Sequence, residues 1–370
     1  MVDENLICKI GISLIPGIGS ITAKKLIDFT GSIEGIFRES ERNLLKIPGI
    51  GSQLARNIRN QNVLERAEKE IEFLEKNNIR SFFYLDPEYP ERLKQCPDAP
   101  VIFYFLGNID LNHPKIISVV GTRSATQRGR DLCKRLISDL SDRNHDPVIV
   151  SGLAYGIDIC AHKSALQYGL NTIAVLGHGL STIYPSIHKP VAREITRHGG
   201  LLTDFLNDEK PERNNFVKRN RLIAGLSDAT IVIESGITGG ALITADIANS
   251  YNRDVFAFPG RVKDTYSAGC NRIIKTNKAA LIEGIRDIEY IMGWEPEPIK
   301  KGPVQKEMFR DLSEEEKVFM KMLKENDRLT INQMSALSGI PVSKASPVLL
   351  NLEFSGLVRC LPGNIYTLTS

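Results

Sequence analysis

From Lys115 onward the chain carries seven short apolar runs, KIISVVG, PVIVSG, NTIAVLG, GLLTDF, ATIVIES, DVFAFPG and AALIEG, separated by segments that are mostly of helix length. Runs without polar alternation are buried on both faces, and a strand that is followed by a helix implies a parallel crossover. This part is therefore expected to fold as a doubly wound α/β sheet, with ligands gathering where the strands end. Three turns follow expected strands, GTRSATQRG from Gly121, SGLAYGID from Ser151 and ESGITGGALITA from Glu234. Small residues let backbone amides approach an anion, although tight packing of strand on helix needs the same glycines.

The flanks differ from the centre. IPGIGS occurs at 15–20 and again at 47–52, each time before a helical pattern with a basic residue, Lys24 or Arg56. Each copy reads as a helix-hairpin-helix, whose helix start suits a phosphate; a compact scaffold of helices is the other reading. The stretch FFYLDPEYPERLKQCPDAPVIFYFLGN, rich in proline and aromatics, is expected to be an irregular approach to the centre. After Trp294, EPEPIKKGPVQKEMFRD has the composition of a linker, and the remainder reads as three helices closed by the hairpin LVRCLPGNIYTL. That tail resembles a winged helix, yet six cations face six carboxylates in it, so docking on protein or spacing competes with DNA binding.

Chemistry of a catalytic kind finds little support. Neither G-x-G-x-x-G nor G-x-x-x-x-G-K-[ST] occurs, so no nucleotide cofactor is expected. The six cysteines stand singly, without the pairing of a zinc site or a disulfide framework. Asp158 and His162 share a helical face, as an acid–base pair or as a helix-start carboxylate bonded to an imidazole. His178 and His188 flank GLSTIYPSIH, with no nucleophile spaced to complete a triad. No membrane-length apolar stretch and no leader pattern occur, so a cytoplasmic location is expected.

A net charge of +3 decides nothing by itself, but the charge is clustered. In PERNNFVKRNR, Arg213, Lys218, Arg219 and Arg221 oppose Glu212 alone and surround Phe216. Cations neutralise phosphates, and an aromatic face stacks on an unpaired base at about 1–3 kcal/mol. The alternative is a solvated helix with one core phenylalanine.

Taken together, GTRSATQRG, SGLAYGIDICAHKSAL, TIAVLGHGLSTIYPSIH, FVKRNRLIAGLS, GGALITADIA and VFAFPG resemble, in order, the bacterial DNA-processing protein A family, also called Smf. The resemblance implies a non-enzymatic binder of single-stranded DNA that protects incoming strands and loads RecA recombinase during natural transformation. It implies a SAM-like helix-hairpin-helix domain at 1–80, an extended Rossmann-like domain at 81–294 that forms a homodimer, a linker at 295–311 and a winged-helix-like domain at 312–370. Carried over by position, Gly121, Thr122 and Arg123 would hold phosphates, Arg213 would add a cation, and Phe216 would stack on a base. Lys218, Arg219 and Arg221 fall on the matching helix. The family often has a basic residue after the fifth strand, where this chain offers Gly236 and Thr238. The runner-up is a nucleotide or nucleoside-phosphate processing enzyme of a related fold, with Asp246 as its acid. A dimer contact through CNRIIKTNKAALIEG is also expected.

Overall fold

The computed structural model describes residues 4–60, 62–295, 312–361 and 364–368. The chain divides into two compact units, Met1–Ile299 and Lys300–Ser370. The expected linker lies outside the described residues except for Glu295.

The first unit opens with α1 (Glu4–Leu14), α2 (Ser20–Thr30), α3 (Ile33–Arg38), α4 (Glu41–Leu44), α5 (Ser52–Arg59) and α6 (Val63–Lys76). The two IPGIGS copies fold alike. Gly17 and Gly49 sit at φ +88° and +91°, conformations that a side chain would strain. Ile18 N–H then bonds Ile15 O at 3.1 Å, and Ile50 N–H bonds Ile47 O at 3.0 Å. Their isoleucines turn inward and join Ala23 and Ala55 in one helical core.

A nine-stranded sheet follows, built from β1 (Arg80–Phe83), β2 (Ile102–Gly107), β3 (Ile116–Val120), β4 (Val148–Ser151), β5 (Thr172–Val175), β6 (Gly199–Thr203), β7 (Ala229–Val232), β8 (Asp254–Ala257) and β9 (Ala280–Leu281). Helices α7 (Glu91–Lys94), α8 (Gln127–Asp142), α9 (Ile157–Gln167), α10 (Lys189–Ile195), α11 (Arg213–Leu226), α12 (Gly240–Ser250), α13 (Ala268–Lys275) and α14 (Ile285–Met292) alternate with them. The spatial order is β1-β2-β6-β5-β4-β3-β7-β8-β9. The seven expected runs are β3 to β9, all parallel to their neighbours among themselves. Chain order reverses between β3 and β7, so a crevice opens at their carboxyl ends.

The stretch read as irregular is instead partly strand. β1 pairs antiparallel with β2, and β2 with β6. The prolines lie between the strands, and the aromatic run hid the alternation. Gly200 makes the pairing possible, because a Cβ there would stand 2.2 Å from the Phe105 ring. These strands also join the two parts of the unit, since Phe83, Ile102 and Tyr104 complete the core of the helical module.

The second unit holds α15 (Glu314–Asn326), β10 (Leu329–Thr330), α16 (Ile331–Ser338), α17 (Val342–Phe354), β11 (Val358–Leu361) and β12 (Ile365–Leu368). Ser313 with Glu316, and Thr330 with Gln333, form capping boxes that start α15 and α16. The sheet order is β10-β12-β11 around a core of Phe319, Leu323, Met334, Leu349 and Leu352. Three helices and a hairpin match the expectation, β10 being an addition; the hairpin tip at 362–363 lies outside the described residues.

Candidate nucleic-acid interface

A cavity of about 520 Å³ opens at the β3/β7 reversal, lined by the turn after β3, the first residues of α9, one face of α11 and the start of α12. Gly121, Thr122, Arg123, Arg213, Phe216 and Arg219 all border it. Residues more than 90 positions apart are thus gathered by one topological feature.

Arg123 and Arg213 are exposed, and Phe216 is half-buried between them and the protein. The Arg123 guanidinium lies over the Phe216 ring, 5.5 Å from its centroid. Such a pair puts a cation and an aromatic ring side by side on one rim. Phe216 can lie there because Gly177 is bare: a Cβ would approach Phe216 Cδ1 to 2.8 Å. Val217 and Ile243, 44% and 39% exposed, add an apolar lip.

A second ring was missed in the sequence. Tyr184, 48% exposed, stands 5.7 Å from Phe216 between centroids, tilted by 34°. Its amide donates to His178 Nε2 at 3.3 Å, while His178 Nδ1 faces Gly179 O at 2.9 Å. Burial lowers the His178 pKa and so favours the neutral ring that can accept this bond. The signal was the Tyr-Pro of STIYPSIH, but no local pattern placed it against α11.

The turn after β3 corrects part of the expectation. Thr122 N–H donates to Glu234 O at 2.7 Å, so that amide already has a partner. The Glu234 carboxylate takes Thr126 N–H at 2.8 Å and Thr126 Oγ1 at 2.6 Å, filling the start of α8. The guanidinium of Arg123, rather than the Thr122 amide, is what this turn presents to an anion. The start of α12 is different: Gly239 and Gly240 are exposed and border the cavity, adding the positive end of a helix dipole.

Two arginines of α11 are also corrected. Arg221 donates to Asp98 O and pairs with Asp204, away from the cavity lining, and therefore ties α11 to its surroundings. Arg219 is only 3% exposed and donates to Val175 O beneath the cavity. Burial pulls it down to about 10, and burial raises the Asp158 carboxyl despite the opposing charge of Arg219. Gly152 leaves room for both, since a Cβ there would be 2.2 Å from Arg219 Nη1 and 2.6 Å from Asp158 Oδ2. Arg219 is a charged floor, not a finger. Lys218 is exposed but does not border the cavity.

The Asp158–His162 pairing does not form. His162 Nδ1 meets Thr172 Oγ1 at 2.7 Å, and burial drives its pKa down to about 3. His188 Nδ1 bonds Leu153 O at 2.8 Å. Asp246 bonds Lys278 at 2.7 Å outside the cavity lining, which leaves the nucleotide-enzyme reading without its acid. Among the described residues no group of three His, Cys, Asp or Glu is placed to hold a metal, and no helix is long and apolar enough to cross a membrane.

Three family models match this chain: DNA recombination-mediator protein A over residues 80–292, a SAM-like helix-hairpin-helix tandem over 12–61 and the DprA winged helix domain over 311–364. Protein Smf of Synechocystis is 30% identical over 96% of both chains. The DNA processing protein DprA of Streptococcus pneumoniae is 40% identical over 55% of this chain and 71% of its own. The X-ray structure of the S. pneumoniae protein superposes with a TM-score of 0.67 at 31% identity, covering 77% of this chain and 97% of that one. DNA processing protein A of Helicobacter pylori, whose structure addresses its single-stranded DNA binding mode, gives 0.52 at 28% identity over 58% and 95%. With a model matched across the whole sheet and its crevice, and with helical and winged flanks in the same order, this chain belongs to the DNA recombination-mediator protein A family.

Proposed function

We propose that this protein grips single-stranded DNA in the β3/β7 crevice, with Arg123 and Arg213 on phosphates and Phe216 on a base, protects incoming strands, and loads RecA recombinase onto them during natural transformation. The observation that carries the reading is the Arg123 guanidinium lying over the half-buried Phe216 ring, 5.5 Å from its centroid, with Arg213 on the same rim. Both arginines are exposed, and among the described residues neither takes part in a salt bridge with a carboxylate. An unpaired base can reach the ring, whereas a duplex keeps its base faces stacked. The chain acts in the cytoplasm as a homodimer through α13 and the edge strand β9, where Leu281 is 48% exposed. No cofactor enters this reading.

The test is anisotropy titration of labelled oligo-dT against duplex of equal length at two salt concentrations. Phe216→Ala is expected to weaken single-strand binding about tenfold, Arg123→Ala and Arg213→Ala similarly, with a flatter salt response for each arginine variant. Unchanged binding in all three variants would remove the crevice from the mechanism. RecA filament formation on pre-coated strands, followed with and without the protein, tests the loading step separately.

A further inference from the structure

The turn after β8, Gly260–Ser267, stands at the edge of the crevice: a Cβ on Gly236, which lines the cavity, would lie 3.4 Å from Thr265 O. Its base is tightly built. Asn271 accepts Gly260 N–H at 3.0 Å and donates to Gly260 O at 3.1 Å and Arg261 O at 3.4 Å. Asp264 accepts from Tyr266 N–H at 3.0 Å and Ser267 Oγ at 2.8 Å, and a Cβ on Gly260 would strike Ser267 at 2.0 Å. What this rigid base holds outward is Arg261, Lys263, Tyr266 at 48% exposure and Val262 at 96% exposure. Arg128, on the first turn of α8, donates to Pro259 O at 2.8 Å and adds a third cation beside the same loop. Asp264 is the acid set among them, and its carboxyl is held low first by its bond from Ser267, with Arg128 and Arg261 contributing.

Cations interleaved with an exposed ring, on a backbone that has already lost its freedom, are the ingredients the crevice itself uses. We propose that the β8 turn is a second station for the unpaired strand: nucleotides leaving the crevice past Gly236 cross Arg261 and Lys263, with Tyr266 as a further stacking face. The inference rests on the crevice being the primary grip and extends the footprint of the strand beyond it. Contact with a second copy of this chain is the competing use of the loop and is decided by the same experiment.

The full-length Arg261→Ala/Lys263→Ala variant is titrated with oligo-dT of about 6 and about 20 nucleotides, lengths that bracket one and several single-strand stations. The expected result is unchanged affinity for the short strand, a loss of about tenfold for the long one, and a salt slope for the long one lower by about 1 to 1.5. Tyr266→Ala is expected to weaken only the long strand as well. Equal affinities for the long strand in variant and parent, an equal loss at both lengths, or a change confined to the sedimentation mass would each overturn the second station. Because Phe216→Ala on the short strand reads the crevice alone, failure of the crevice and failure of the extension give different results.

Discussion

The twin IPGIGS loops and the β3/β7 rim are both glycine-rich starts of helices with arginine or lysine nearby, and they use those cations in opposite ways. In the helical module Lys24 lies over the Tyr84 ring at 5.6 Å, where burial lowers its pKa, and Arg56 faces Glu41 at 3.8 Å. Both cations are engaged in holding helices to their neighbours. On the rim, Arg123 leans on Phe216 and Arg213 projects into solvent beside it. The lesson is that a phosphate-friendly backbone turn does not make a site until the surrounding fold leaves its charges unclaimed.

The contrast can be broken first through the glycines. Gly156 sits at φ +78°, and a Cβ there would stand 2.1 Å from Thr122 O, in the heart of the rim. Gly49 sits at φ +91° with nothing within 4 Å of its virtual Cβ. Gly156→Ala is expected to cost about 4 kcal/mol or more, from backbone strain plus collision, against about 1 kcal/mol for Gly49→Ala, from strain alone. Denaturant melts of the two variants check this, and equal losses would mean that the rim is far more yielding than its packing implies.

Acid offers a second, smaller separation. All six histidines lie between residues 113 and 198, so titration of imidazole acts on the α/β part and not on the helical module. His162 falls from an ordinary 6.5 to about 3 because burial disfavours its charged form. The unfolded chain therefore binds the proton first, and the stability this group confers is complete above pH 6.5 and lost as pH falls toward 3. A loss of about 2 kcal/mol or more is expected between about pH 7 and pH 4.5, and His162→Gln should flatten that slope. An acid slope identical in the variant would show that His162 is protonated or solvated in the folded state.

The smallest effect sharpens the comparison where it matters for function. Lys24→Ala and Arg56→Ala are each expected to leave oligo-dT affinity within about twofold of the parent, because one loses packing and the other an exposed ion pair. A tenfold loss in either would raise the twin loops to a grip equal to the crevice.

Much of the fold was legible because burial on two faces leaves a strong trace. ATIVIES and KIISVVG declare themselves as inner strands, and they became neighbours β7 and β3. β2 was hidden, since its pairing with β6 depends on Gly200 nearly a hundred residues later, where the absence of a side chain admits Phe105, and β1 enters the sheet only by pairing with β2. Within PERNNFVKRNR the letters alone cannot rank four cations. The turn of α11 sends Arg213 outward, Arg219 under the sheet edge and Arg221 to Asp204. Tyr184 belongs beside Phe216 through a contact 32 positions away, and nothing local announces it.

The sequence by itself determined the order of the parts, the parallel sheet, the doubled hairpin loops and the presence of cations around one phenylalanine, because these follow from composition and spacing along the chain. Tertiary structure decided which charges remain free. That outcome depends on distances between segments far apart in sequence, and a buried carbonyl such as Val175 O or a carboxylate such as Asp204 claims a guanidinium only once the fold has brought it within reach.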